Sequence, residues 1–307
     1  MTLASIIIIN YNTAKLSIDA IESIKSKVSR LENFEIIIVD NASETSDFKE
    51  LKLGIESINI SKLKLIRSKF NLGFGGGNML GVQHAVGKFY IFMNSDVVLK
   101  EDSFTPMIDF LTNNPKVSIV GCQALNEEGK KAKGFDYELS LVNELFSDSF
   151  LQLINPKKYK SRIVTTKEPI NVDSVAGSLF ACVATDFDLV GGFDTNLFLY
   201  YEEKDLAFRI KKNLKKEIYL LPFVQYIHLK GQSTKTSQKI RNELKISQFY
   251  AIQKNLGTIK YYTFYLFNLL IFLLKSPFNK KNRSYLILLL NGISTSKSIK
   301  HHQKNKL

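Results

Sequence analysis

Acidic side chains end at Glu243. Beyond it the sequence runs to Leu307 without an Asp or Glu, while 11 of its 42 Lys and Arg residues lie there. The first 243 residues hold 31 basic and 29 acidic side chains, so most of the net charge of +13 belongs to the C-terminal fifth. That asymmetry predicts a polyanionic partner for the tail and a nearly neutral main body. Cysteine is also scarce. Cys122 and Cys182 sit in apolar segments without metal-type spacing, which reads as small core residues in a reducing compartment. No basic leader and no long apolar run opens the sequence, so Ser5–Ile9 reads as a buried strand rather than a signal peptide. Internal repeats are missing too. With 45% hydrophobic and 23% charged residues, the composition excludes disorder over most of the length.

The N-terminal third alternates strand and helix signals, the pattern of a mostly parallel sheet covered by helices. Strands are predicted at Ser5–Tyr11, Glu35–Val39, Leu63–Arg67, Phe89–Met93 and Val117–Gly121. Helices are predicted at Ala14–Lys27, Asp47–Ile58, Asn78–Val86 and from Asp102 to just before Pro115. Asn126–Ile170 is less regular, with one amphipathic helix over Leu139–Ile154. Order returns at Val172–Thr185, a helix over Glu202–Lys212, and strands over Glu217–Leu221 and Val224–His228. Residues 1–236 form the expected α/β domain and 237–307 a helical appendage.

Polar residues collect where the early strands end: Asn10, Tyr11 and Asn12, then Asp40 and Asn41, then Asn94 and Asp96. In open α/β sheets that edge forms the ligand crevice. Turn chemistry explains any one cluster; three on one edge point to a site. Asn71–Asn78 (NLGFGGGN) opens a helix and lets backbone approach a phosphate or nucleotide. It lacks the spacing of a dinucleotide fingerprint and the Lys-Ser/Thr ending of a P-loop. Asp96 leaves a buried strand and suits Mg²⁺ or Mn²⁺, with His228 as a second ligand. Glu202, Glu203 and Asp205 form the densest acidic group. A charged first helical turn accounts for them, but a carboxylate emerging from apolar Leu197–Tyr201 can also be tuned as a general base.

In this order the segments SIIIINYN, IIIVDNAS, NLGFGGGN, FMNSD, GGFDTNLFLYYEEKDLAFR and HLKGQS resemble family 2 glycosyltransferases of the GT-A fold, especially rhamnosyltransferase-like bacterial members. The resemblance runs from Ser5 to about Ser233. It implies that Asn12, Asp40 and Asn41 contact the base and ribose of a nucleotide-sugar donor. Asn71, Gly73 and Asn78 would shape the donor pocket, with Asn94 at the first position of the family's Asp-x-Asp-type motif. Asp96 and His228 would hold the cation, with Lys230 and Ser233 near the diphosphate. Glu203 stands where the family usually has Asp, and would be the base of an inverting transfer to a glycan or lipid-linked acceptor, in surface polysaccharide synthesis. The alternative is a non-catalytic nucleotide-sugar-binding or membrane scaffold protein on the same fold. A mobile cover over the site is expected within Asn126–Ile170.

Tyr261–Leu274 is apolar except for Thr263 and Asn268 and is bracketed by Lys260 and Lys275. As a helix it reaches about 21 Å, short of a hydrocarbon core of about 30 Å. An interfacial helix at an anionic membrane surface fits better; packing on the α/β domain or on the partner of a homodimer is the other reading. The protein is therefore expected in the cytoplasm, peripheral on the inner face of the cell membrane. Nucleic acid is not the expected polyanion, because no groove-reading module is present.

Overall fold

The computed structural model describes residues 2–229 and 237–303. Strand β1 (Ala4–Asn10) is a run of isoleucines sorted by the two-residue period of a strand. Ile6 and Ile8 enter one core and Ile7 the other, so the sheet is covered on both faces. Helix α1 (Ala14–Lys27) buries Ala14, Ser17, Ala20, Ile21 and Ile24 along one stripe, with Lys25 and Lys27 beside its negative C-terminal end. Strand β2 (Phe34–Asp40) is buried throughout, α2 (Thr45–Ile58) packs on α1, and β3 (Leu63–Arg67) follows. Parallel pairing brings Asn10, Asp40 and Arg67 side by side at the strand ends.

Helix α3 spans Gly73–Val82 and strand β4 Phe89–Asn94, which pairs with β1 in parallel. Then come β5 (Val97–Leu99), α4 (Phe104–Asn113), β6 (Val117–Leu125), β7 (Phe135–Asp136), α5 (Leu141–Leu145), α6 (Asp148–Ile154), β8 (Ile170–Asn171), β9 (Ser174–Val175) and β10 (Leu179–Val183). Helices α7 (Ala184–Leu189) and α8 (Glu202–Arg209) precede β11 (Glu217–His228). The sheet runs β3-β2-β1-β4-β10-β6-β11-β5. Its first half is parallel, as expected. β10 then lies antiparallel between β4 and β6, and β11 pairs in parallel with β6 and antiparallel with β5.

Three local expectations are corrected. Helix α3 begins at Gly73, not Asn78, because Gly81 lets it lie against Ile7 of β1, where a Cβ would stand 2.5 Å from Ile7 Cγ2; packing overrides poor helix propensity. The helix over Leu139–Ile154 is two helices, since Ser140 and Ser147 each cap a new start. The strands on either side of Pro222 are one strand with an irregularity between Leu221 and Gln225, where a missing N–H costs no ladder bond.

The C-terminal helices α9 (Gln238–Leu256), α10 (Thr258–Lys275) and α11 (Lys280–Leu290) share a core of their own around Phe249, Ile252, Phe264, Phe272, Tyr285 and Leu289. Tyr201 and Phe208 of the α/β part pack against it. Ile259, Tyr262, Leu266, Leu270, Leu273 and Leu274 stay exposed on α10. Among the described residues no helix is long and apolar enough to cross a membrane.

Candidate functional site

The polar strand ends are first of all tied to one another. Asn10 Nδ2 donates to Asp40 Oδ1 and Ser43 Oγ, both at 3.0 Å. Asp40 is fully buried and pairs through Oδ2 with Arg67 Nε at 3.1 Å. Asn12 adopts the left-handed conformation (φ 55°) that Asn tolerates, and its Oδ1 accepts the Glu44 N–H at 2.8 Å. These groups make a rigid, internally satisfied edge behind the crevice.

In front of it Asn41 and Asn71 clamp the glycine loop. Asn41 Nδ2 donates to Asn71 Oδ1 at 3.0 Å and to the Gly73 carbonyl at 2.9 Å, while its Oδ1 accepts Leu72 N–H at 2.9 Å. Asn71 Oδ1 accepts Gly73 N–H, also at 2.9 Å. Gly73 has φ +76°, and a Cβ there would lie 2.0 Å from the Phe198 carbonyl oxygen. Glycine is thus required where this loop meets the segment leading to the acidic helix; the Phe74 N–H donates to Phe198 O at 2.8 Å. The cleft so formed holds about 400 Å³ and is lined by Asn41, Asn71, Gly73 and Asn94 among the expected residues. That volume suits a small ligand. Asn78 is buried within α3 with its amide on the Phe74 carbonyl, so it acts on the loop from behind.

Asp96 and His228 converge. β5 pairs Val97 with His228, the Leu229 N–H donates to the Asp96 carbonyl at 2.9 Å, and His228 Nε2 lies 3.2 Å from Asp96 Oδ1. Among the described residues no three His, Cys, Asp or Glu side chains cluster as a metal cage. A hard cation such as Mg²⁺ or Mn²⁺ commonly takes one or two protein ligands and completes its shell from substrate phosphates and water. An acidic oxygen and an imidazole nitrogen this close fit such a two-ligand arrangement. Lys230 and Ser233, expected near the diphosphate, lie outside the described residues.

The acidic segment enters its helix through two strained residues. Tyr200 and Tyr201 have φ of 74° and 73°, a conformation that costs bulky side chains about 1–3 kcal/mol each and persists only where surroundings enforce it. They are enforced from outside. The Tyr201 hydroxyl donates to Glu144, which also accepts Lys204 at 3.2 Å and Gln248 at 2.8 Å, and Ser247 Oγ donates to the Leu199 carbonyl at 2.8 Å. Glu202 is buried against Gly75, and its Oε1 has no hydrogen-bond partner among the described residues. Burial, then the charge of Glu203, raises its carboxyl well above the usual range. Glu203 is partly exposed and rests on Gly177, whose Cβ would lie 3.2 Å from its Cδ. The carbonyl of the next residue, Ser178, accepts the Asn94 N–H at 2.9 Å, which ties the Glu203 contact to the β4 end, but neither Glu202 nor Glu203 lines the cleft itself. Loss of water around Glu203 raises its carboxyl too, opposed by its own backbone N–H and by Lys204.

Asp205 departs from the expected acid–base group. It is fully buried, with Oδ2 on Arg209 at 2.6 Å and Oδ1 on Lys254 and Asn255, both at 2.8 Å. Lys254 also reaches Asp194 at 2.7 Å, and Tyr250 donates to the same Asp194 oxygen at 2.9 Å. Burial alone would raise the Asp194 carboxyl, but Lys254 and these hydrogen bonds hold it below its ordinary value. Asp205 therefore locks α8 to α9 and offers no oxygen to a substrate. Reasoning from sequence missed much of the cleft wall, above all Ser237, Lys239 and Ile240 at the start of α9, and Ile299. Beyond Ile299, Gln303 clasps the Asn71 backbone, accepting its N–H at 3.0 Å and donating to its carbonyl. These contacts join residues 232 apart in sequence, and no local pattern announces them. Nor is Asn126–Ile170 a bare loop: it carries β7, α5 and α6, and buries Leu139, Leu151, Tyr159 and Val164.

The arrangement can be set beside known proteins. Residues 5–183 match the model of glycosyl transferase family 2. Polypeptide N-acetylgalactosaminyltransferase 11 of Xenopus tropicalis is 26% identical over 68% of this chain, which spans only 35% of that relative's length. Rhamnosyltransferase WbbL of Escherichia coli K12 is 26% identical over 60% of this chain and 72% of its own. The mannosyltransferase PcManGT of Pyrobaculum calidifontis, solved with GDP-Man and Mn²⁺, superposes with a TM-score of 0.58 at 14% identity, over 95% of this chain and 85% of that one. With a sheet of this order and a polar cleft at its strand ends, the fold is that of the GT-A glycosyltransferases, and the chain belongs to glycosyl transferase family 2.

Proposed function

We propose that this protein transfers a sugar from a nucleoside-diphosphate donor, with inversion, to a glycan or lipid-linked acceptor at a membrane surface. The observation that carries the reading is the 3.2 Å approach of Asp96 and His228 beside the cleft. Asn41, Asn71 and Gly73 form the wall against which the nucleotide lies. Asp96 and His228 hold Mg²⁺ or Mn²⁺, which when bound offsets the negative charge on the departing diphosphate. Glu203 takes the proton of the acceptor hydroxyl, and a raised pKa brings its basicity nearer to working pH. One displacement with one base inverts the anomeric centre, by the stereochemical logic of inverting hydrolases. Glu202 beside it is made reluctant to ionise by burial and by the charge of Glu203, which limits like-charge repulsion at the base.

A rhamnose-type donor is favoured by the likeness to a rhamnosyltransferase, and with it a role in surface polysaccharide synthesis. The basic region beyond Glu243 and the exposed apolar residues of α10 support a peripheral position on the inner face of the cell membrane. Purified protein with Mn²⁺ and a panel of dTDP-, UDP- and GDP-sugars is expected to release nucleotide from one donor, and a chelator to abolish release. If no donor yields nucleotide with or without membrane extract, the reading fails. A second reading, donor binding without turnover, draws on Glu203 standing where the family usually has Asp. It predicts calorimetric donor binding, no release, and no gain in Glu203→Asp.

A further inference from the structure

A second cavity of about 460 Å³ lies behind the donor cleft, between α11, the start of α9 and the chain after α11. Its polar lining includes Lys280, Arg283, Lys297, Asn242 and Asn291, and no carboxylate. Among the described residues none of the three cations forms an ion pair; Lys297 instead donates to the Asn291 carbonyl. Ile287 and Leu288 form its apolar side, and Ile287, Leu290 and Phe278 are 52%, 63% and 88% exposed around α11. Three uncompensated cations over an aliphatic floor match a ligand that is anionic at one end and hydrocarbon at the other.

We propose that this groove binds the phosphate headgroup of an anionic phospholipid and so seats the α10–α11 hairpin in the membrane interface. The inference deepens the membrane part of the proposed function, on which it rests. Free phosphate would use the cations but leave the exposed apolar residues in water. A nucleic acid would find no aromatic side chain lining the groove on which to stack a base. A headgroup uses both features, and each cation near an anionic surface strengthens attachment. The groove also adjoins the site: Asn242 and Lys297 line it, while Ile240 and Ile299, two residues away on each segment, line the donor cleft. A bound headgroup would thus steady the wall of the cleft from its far side.

The test is co-sedimentation of the full chain with vesicles of phosphatidylcholine, alone or in equal parts with phosphatidylglycerol. Binding is expected only with phosphatidylglycerol, and inorganic phosphate should not compete. Replacing the groove cations together (Lys280→Gln, Arg283→Gln, Lys297→Gln) should weaken binding by about 100-fold, and Arg283→Glu alone should weaken it measurably. Removing the same charge elsewhere (Lys15→Gln, Lys27→Gln, Lys52→Gln) should cost far less. Equal losses in both triple variants, competition by inorganic phosphate, or preference for DNA over vesicles would overturn the proposal. Donor-dependent nucleotide release by the unaltered protein is measured without vesicles. Release without vesicle binding sinks the groove and spares the transferase; vesicle binding without release does the opposite.

Discussion

On one side of the cleft Asn41 and Asn71 hold the glycine loop through uncharged amide contacts; on the other, Asp194, Asp205, Lys254 and Arg209 hold the acidic segment with full charges. The contacts that hold the first wall involve no titratable group. The second is held by ion pairs, and it supports two strained tyrosines and two glutamates whose carboxyls loss of water raises. Under the proposed function the contrast separates a surface that receives from one that reacts, and the strain and the shifted carboxyls lie together beside the second.

The sharpest way to break this contrast is Glu203→Gln, which should slow sugar transfer by about 10²–10⁴-fold while donor affinity by calorimetry stays unchanged. A small loss would move the base elsewhere. On the receiving wall, Gly73→Ala must place a Cβ against the Phe198 carbonyl at positive φ, and should destabilise the fold by about 3 kcal/mol in urea titration. Lys254→Met removes the cation shared by Asp194 and Asp205. Because Lys254 is 28% exposed, the loss should be about 2 kcal/mol, below that of a fully buried pair, and smaller still in high salt. An unchanged unfolding midpoint would show that α9 does not lock α8 electrostatically.

The smallest effect is a difference in pH dependence. The Glu202 carboxyl is raised in the folded state, so its favourable contribution is complete below the unfolded value of 4.5 and is lost as pH rises through the folded value. Glu202→Gln should therefore gain stability relative to the parent as pH climbs above that point. Asp194 runs the other way. Its lowered carboxyl contributes above the ordinary 3.8 and loses that contribution as pH falls through its folded value, so Asp194→Asn should close its stability gap in acid. Denaturant midpoints across pH check both signs.

Much of the receiving wall could be read in advance because its information is local. Isoleucine runs, amphipathic spacing and polar strand ends located β1, β2, β3 and α1 to within a residue or so, and the parallel register alone lined up Asn10 with Asp40. The pairing of Asp96 with His228 was legible as two polar residues at strand ends. The reacting wall was less so. EEKD presents three carboxylates with the same local signature, and only the distant Lys254 and Asn255 distinguish Asp205 as the one already engaged. The early start of α3 was hidden for a related reason: its glycines read as a loop until Ile9 and Ile7 of β1 lie against Gly77 and Gly81.

The clasp between Gln303 and the Asn71 backbone joins the segment after α11 to the loop that opens α3. A ribosome makes the β1–α3 half of the crevice long before its Ile299 edge. Until that edge has been made, the nascent protein has a shelf rather than the pocket of the folded chain.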